Sequence, residues 1–76
     1  MKLYFQNSYG EERLISEPKI VQECYLEINK FLDKHNFKSY YTRMWEENGR
    51  IKLDVGSYSE FFYVDGSSFQ EFSNIK

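Results

Sequence analysis

The residues best equipped for chemistry fall in one stretch, "YYTRMWEENGRIKLDVG", residues 40–56. Apolar and polar positions alternate through it, the period of half-buried β-strands. Asn48-Gly49 lies between the two runs and is a strong signal for a two-residue type I′ hairpin turn. That turn fixes the pairing. Glu47 faces Arg50, Glu46 faces Ile51, Trp45 faces Lys52, Met44 faces Leu53, Arg43 faces Asp54, Thr42 faces Val55 and Tyr41 faces Gly56. Thr42, Met44, Ile51, Leu53 and Val55 then point to a core, and Tyr41, Arg43 and Trp45, followed by Arg50, Lys52 and Asp54, point away from it. Two kinds of chemistry suit the outward set. One is internal to a sheet: Trp45 with Lys52 as a cation–π pair, Arg43 with Asp54 as an ion pair, and Tyr41 over the bare backbone of Gly56, at about 0.2–1 kcal/mol each. The other is recognition, because Tyr, Trp and Arg are the residues enriched at interface hot spots.

Residues suited to catalysis are sparse. His35 is the sole histidine and falls at a predicted helix end, where a cation interacts well with the last carbonyls. Cys24, the sole cysteine, lies in a predicted apolar helix sector, where a thiol is inert packing. The carboxylate pairs Glu11-Glu12 and Glu46-Glu47 are adjacent, so in strands they point to opposite faces. No His/Cys cluster has metal-ligand spacing, and the four glycines mark turns rather than a phosphate loop. The sequence predicts a non-enzymatic protein with no cofactor and no metal.

The elements that must position the outward set follow from pattern. Residues 2–6 and 11–15 read as strands joined by the turn "NSYG". A four-residue loop sets Leu3 opposite Leu14 and Tyr4 opposite Arg13, with both leucines on the buried side. Ser16 as cap, Glu17 and Pro18 predict a helix start, and the helix runs to about His35. Ile20, Val21, Cys24, Ile28, Phe31, Leu32 and His35 share one sector of it, about 120° wide. Leu26 falls on the polar side, an outlying candidate for a partner contact. Asn36 suits a left-handed C-terminal cap. After a turn at residues 56–59, "EFFYV" (60–64) reads as a strand; a tight turn at 57–58 sends Phe62 and Val64 inward and Phe61 and Tyr63 outward. Ser67 or Ser68 caps a short last helix, with Gln70 or Glu71 in capping-box spacing and Phe69 and Phe72 on its docking side. The expected fold is α+β, in the order β-β-α-β-β-β-α. An antiparallel sheet of four or five strands carries the long helix on one face, in a single domain over 1–76.

Bulk properties narrow the partners. Aromatic residues make up 20% of the chain: seven Tyr, seven Phe and one Trp. Each ring buries roughly 150–250 Å², more than one small core needs, so some rings lie at a surface or an interface. The net charge is −2 with a pI near 5.3, and the basic residues are scattered. Duplex nucleic acid and anionic membrane both require a clustered basic footprint, so neither is an expected partner. No apolar run approaches the roughly 18 residues of a membrane span. Tyr4-Phe5 is followed at once by polar residues, unlike a signal peptide. "LYFQN" resembles the end of a protease site used in tags but lacks its upstream acidic residue, and is read as native. A lone cysteine suits a reducing cytosol.

At "LYFQNSYGEERLI", "HNFKSYYTRMW" and "DVGSYSEFFYV" the chain resembles a group of small, uncharacterised phage and prophage proteins of Gram-positive bacteria, over most of its length. The resemblance implies expression in a bacterial cytoplasm during infection or induction. It implies by analogy a non-catalytic accessory protein that binds a host protein, including components of antiviral defence. The partner-binding residues expected are Tyr41, Arg43, Trp45, Lys52, Phe61 and Tyr63, with Leu26 outlying, and a homodimer is a second form of the same binding. A nucleotide or small-molecule binder, stacking a base on the rings with Arg43 or Lys52 on a phosphate, is the main alternative. A self-assembling structural component is the third.

Overall fold

The computed structural model describes residues 1–35, 43–56 and 59–73. The order is β1 (Lys2–Gln6), β2 (Glu12–Ser16), α1 (Val21–Lys34), β3 (Arg43–Glu47), β4 (Arg50–Asp54), β5 (Phe61–Asp65) and α2 (Phe69–Ser73). This is the expected α+β arrangement, with one antiparallel five-stranded sheet in the order β2-β1-β5-β4-β3. The "LYFQ" segment is integral to it, because β1 pairs on both sides.

The β3–β4 hairpin has the register set by Asn48-Gly49, with Trp45 opposite Lys52 and Arg43 opposite Asp54. Both turn residues have positive φ, 53° and 76°, as a type I′ turn requires. β4 pairs with β5 through Ile51–Val64, Lys52–Tyr63 and Leu53–Phe62, so Phe62 and Val64 turn inward. The expected Thr42–Val55 and Tyr41–Gly56 pairs, the Asn36 cap and the 57–58 turn lie outside the described residues.

The core forms where one sheet face meets α1. Leu3, Ile51, Leu53, Val55, Phe62 and Val64 from the sheet side pack with Val21, Cys24, Ile28, Phe31 and Leu32 of the helix. Phe72 of α2 joins this cluster fully buried, its ring 5.9 Å from that of Tyr25. Both helices therefore pack on the same side of the sheet. Ser68 and Glu71 form the capping box of α2: the Ser68 amide donates to Glu71 Oε1 and the Glu71 amide to Ser68 Oγ, each at 3.3 Å.

Two expectations are corrected. Leu14 pairs with Tyr4, not Leu3, and Leu3 pairs with Ser16 across an irregularity at Leu3/Tyr4. The loop spans 7–11, because Asn7 Oδ1 accepts hydrogen bonds from the Tyr9 and Glu11 amides at 3.0 Å and holds one more residue in the turn. A one-residue shift turns every side chain of a strand over. Leu14 is therefore 46% exposed on the helix-free face, and Arg13 lies over the Phe31 ring on the helix side, 5.8 Å from its centre. The second correction is the helix start. Ser16 stays in β2 and Pro18 is buried ahead of the helix, which begins at Val21 with Ile20 as an N-cap that makes no side-chain bond. Glu23 Oε2 reaches back instead and accepts from the Lys19 amide at 3.4 Å. Ile20 is consequently 52% exposed rather than in the core.

Candidate functional site: the helix-free sheet face

Strand alternation sends Tyr4 from β1, Phe61, Tyr63 and Asp65 from β5, Arg50, Lys52 and Asp54 from β4, and Arg43, Trp45 and Glu47 from β3 to the face opposite the helices. The result is a row of rings with cations lying across it. Lys52 Nζ is 4.1 Å from the centre of the Phe61 ring, 5.5 Å from Tyr63 and 5.7 Å from Trp45. The Trp45–Lys52 contact read from the register is present, yet Phe61 is the nearer ring. The Arg43 guanidinium approaches Trp45 at 5.9 Å. Arg50 lies over Tyr63 at 4.3 Å and Tyr4 at 5.4 Å. All these distances fall within the range of cation–π attraction.

Carboxylates hold the cations in place. Arg43 Nη2 donates to Asp54 Oδ2 at 2.8 Å, and Lys52 Nζ donates to Glu47 Oε2 at 3.5 Å. Arg50 is the most heavily engaged. Its Nη1 and Nη2 donate to the two oxygens of Glu12 at 2.9 Å, and its Nε donates to Asp65 Oδ1 at 2.7 Å. This fork crosses from β4 over β5 and β1 to β2, three strand spacings or roughly 14 Å. The hydrogen bonds to Glu12 raise the Arg50 pKa further above its ordinary value, against a smaller opposing effect of burial and with help from Asp65.

The sequence-predicted site residues separate by depth. Arg43 is exposed, Trp45, Lys52 and Phe61 are half-buried, and Tyr63 is only 6% exposed beneath Arg50 and Lys52, its hydroxyl donating to Glu47 Oε2 at 3.3 Å. Tyr63 is therefore the floor of the face, and Arg43, Trp45, Lys52 and Phe61 are its accessible part. Tyr41 lies outside the described residues. Leu26 is 58% exposed on α1, on the other side of the molecule. Sequence reasoning put Arg50 on the outward side of its strand, as found, but missed Tyr4, Glu12 and Asp65 as members of this face. Only the Tyr4 alternation was readable; the Arg50–Glu12 contact joins residues 38 apart.

Asp54 is buried although it sits on this face. The hydrogen bond from Arg43, with a second from the Gly56 amide at 2.9 Å, holds its carboxyl below the ordinary aspartate range. A folded-state pKa below the unfolded one gives stability that is fully present above about pH 4 and lost as pH falls through the folded value. Asp54→Asn should therefore be least stable relative to the parent at neutral pH, with the gap closing in acid. Urea midpoints of both proteins down a pH series check this; a gap that stays constant would remove Asp54 ionisation as its source.

Among the described residues, Cys24 and His35 are both held in packing contacts. Cys24 is fully buried with Sγ 3.8 Å from Met1 Sδ, and burial pushes its thiol up to about 11. His35 stacks on Phe31 with ring centres 4.3 Å apart and donates its amide to the Phe31 carbonyl. Among the described residues no three His, Cys, Asp or Glu side chains are grouped to hold a metal ion, and no helix is long and apolar enough to cross a membrane. Compared with protein-family models, curated proteins and solved structures, the chain finds no match.

Proposed function

We propose that this chain is a small, non-enzymatic phage accessory protein that works in the bacterial cytoplasm by binding a host protein through the helix-free face of its sheet. The observation that carries the reading is the one-sided layering. Both helices pack against one sheet face, and among the described residues nothing from the chain's helices covers the row of Trp45, Phe61, Tyr63 and Tyr4 on the other. Half-buried rings with the exposed Arg43 among them suit a protein partner. The phage setting, and inhibition of a host defence component as the outcome of binding, rest on the resemblance noted above.

A nucleotide fits this face less well. Arg50, Lys52 and Arg43 each already hold a carboxylate of the chain. A phosphate would have to compete with Glu12, Asp65, Glu47 and Asp54 for the same donors.

Affinity capture from infected host extract, followed by mass spectrometry and repeated with Trp45→Ala, tests the proposal. The expected result is a host protein retained by the parent chain and lost with Trp45→Ala, a hot-spot loss of about 2 kcal/mol or more. The melting temperature should change little, because Trp45 lies outside the buried cluster. Unchanged capture by Trp45→Ala, or a melting temperature that rises with nucleotides and not with the captured protein, would overturn the reading.

A further inference from the structure

We infer that the groove between β2 and the C-terminal half of α1 binds an acidic segment of a partner protein through its carboxylate side chains. The inference does not depend on the helix-free face being a partner site, since this groove lies on the helix side of the sheet. Basic residues that are scattered in the sequence are gathered here by the fold. Arg13 from β2, Lys30 and Lys34 from α1 and His35 at the helix end line a groove of about 360 Å³. Among the described residues the one carboxylate lining it is Glu27, already paired with Lys30 at 3.6 Å. Three full cations against one carboxylate leave this lining positive, in a chain whose net charge is −2. Arg43, Arg50 and Lys52 on the other face each hold a carboxylate, whereas among the described residues Arg13 and Lys34 form no ion pair. The helix dipole accounts for cations at positions 34 and 35. It does not account for Arg13, which comes from a strand and lies over the Phe31 ring.

The spread of the cations selects the occupant. Lys30 and Lys34 stand one helical turn apart, about 5–6 Å between Cβ atoms. Arg13 and His35 both lie against the Phe31 ring, 5.8 Å and 4.3 Å from its centre. Two separate cationic positions suit two carboxylates on one segment better than a single phosphate. The C-terminal end of α1 also carries the negative pole of the helix, which repels an anion brought close to the backbone. The anions are therefore held at the tips of long side chains. Ile15 and Phe31 add an apolar part to the lining, so an apolar residue beside the carboxylates completes the fit. A strand added to β2 is not the occupant, because Arg13 is an inward-pointing charge of the kind that blunts an edge. Beyond Arg13 and His35 the next groove is lined by Glu11, Glu12 and Glu60. These repel acidic residues and limit the site on that side.

Titration of the intact, isotope-labelled chain with an acetylated glutamate hexapeptide carrying one central leucine, followed through backbone amide shifts at low salt, tests this. Saturable shifts are expected in β2 and the last two turns of α1, with the β3–β4 hairpin unmoved. The glutamine counterpart of the peptide should give none, and added salt should weaken the response. Replacing both Arg13→Gln and Lys34→Gln should lower the affinity about tenfold, as two exposed charge pairs are lost. Lys19→Gln, at the other end of the helix, should leave it unchanged. All three residues are exposed, so the variants keep the fold. Absence of saturable shifts, an equal response to the glutamine peptide, or shifts confined to the helix-free face would each overturn the inference. So would a double variant that binds as well as Lys19→Gln. Tighter binding of inorganic pyrophosphate, or of phosphatidylserine vesicles, than of the glutamate peptide would assign the groove to phosphates and overturn it too.

Discussion

Phe62→Ala is expected to remove about 3–5 kcal/mol of folding stability, the range for deleting a fully buried phenylalanine. Phe62 is 0% exposed on β5, the middle strand of the sheet, and its ring meets Phe5 at 5.3 Å and Phe31 at 5.5 Å. It is thus the point where β1, β5 and α1 are packed together. A chain of 76 residues has a total stability of roughly 4–11 kcal/mol at ordinary values per residue. The substitution therefore takes about a quarter of it or more, and the variant is expected to populate unfolded chains without denaturant. Phe61→Ala, one residue away, is the informative control. Phe61 is half-buried on the opposite face, under Lys52. Its loss should cost no more than about 1.5 kcal/mol, the value of one cation–π contact and partial burial. Urea unfolding of the two variants measures both. A reversed order, with Phe61→Ala the more damaging, would mean that β5 presents its other side to the helix and would remove the helix-free aromatic face altogether.

What was legible in the sequence is what short-range rules decide. Asn48-Gly49 set the β3–β4 register because only one turn type suits that pair, and the outward placement of Trp45, Lys52 and Arg43 followed from it. The β4–β5 register followed from the short separation of Asp54 and Phe61. The β1–β2 hairpin misled because its loop carries no comparable signal. Asn7 uses its side chain to hold the Tyr9 and Glu11 amides, which lengthens the turn by one residue and turns Leu14 outward. The helix start misled for a related reason. Ser16 has the chemistry of a cap, but its backbone is used in the pairing with Leu3, and strand and cap conformations compete for the same residue. Least legible was the sheet order. β5 enters between β1 and β4, a long-range choice made by packing, and it alone brings Arg50, Tyr4, Glu12 and Asp65 together.

That convergence makes Arg50 the polar residue on which the face depends most. Arg50→Ala is expected to lower stability by about 2 kcal/mol. Hydrogen bonds to charged groups contribute about 1.5–3 kcal/mol each when buried. The value here is discounted because the Arg50 side chain is 24% exposed and its partners Glu12 and Asp65 are 33% and 39% exposed. Two effects add to the lost bonds. Glu12 and Asp65 are left as neighbouring carboxylates without their shared cation, and the Tyr63 ring loses the guanidinium that covers it at 4.3 Å. For a domain of this size the melting temperature should fall by roughly 8–16 °C. Arg50→Lys should recover less than half of the loss, because an ammonium cannot make the fork to both Glu12 oxygens and still reach Asp65. A double-mutant cycle with Glu12→Gln separates the contributions: a coupling near 1 kcal/mol is expected for the bidentate pair. The same cycle in high salt should shrink only in part, since the fork is half-buried and flanked by rings rather than free in solvent. Zero coupling at low salt, with a full loss in Arg50→Ala, would assign the stability to Asp65 and Tyr63 alone. The edge strand β2 would then be held by its backbone pairing to β1 and not by the clamp.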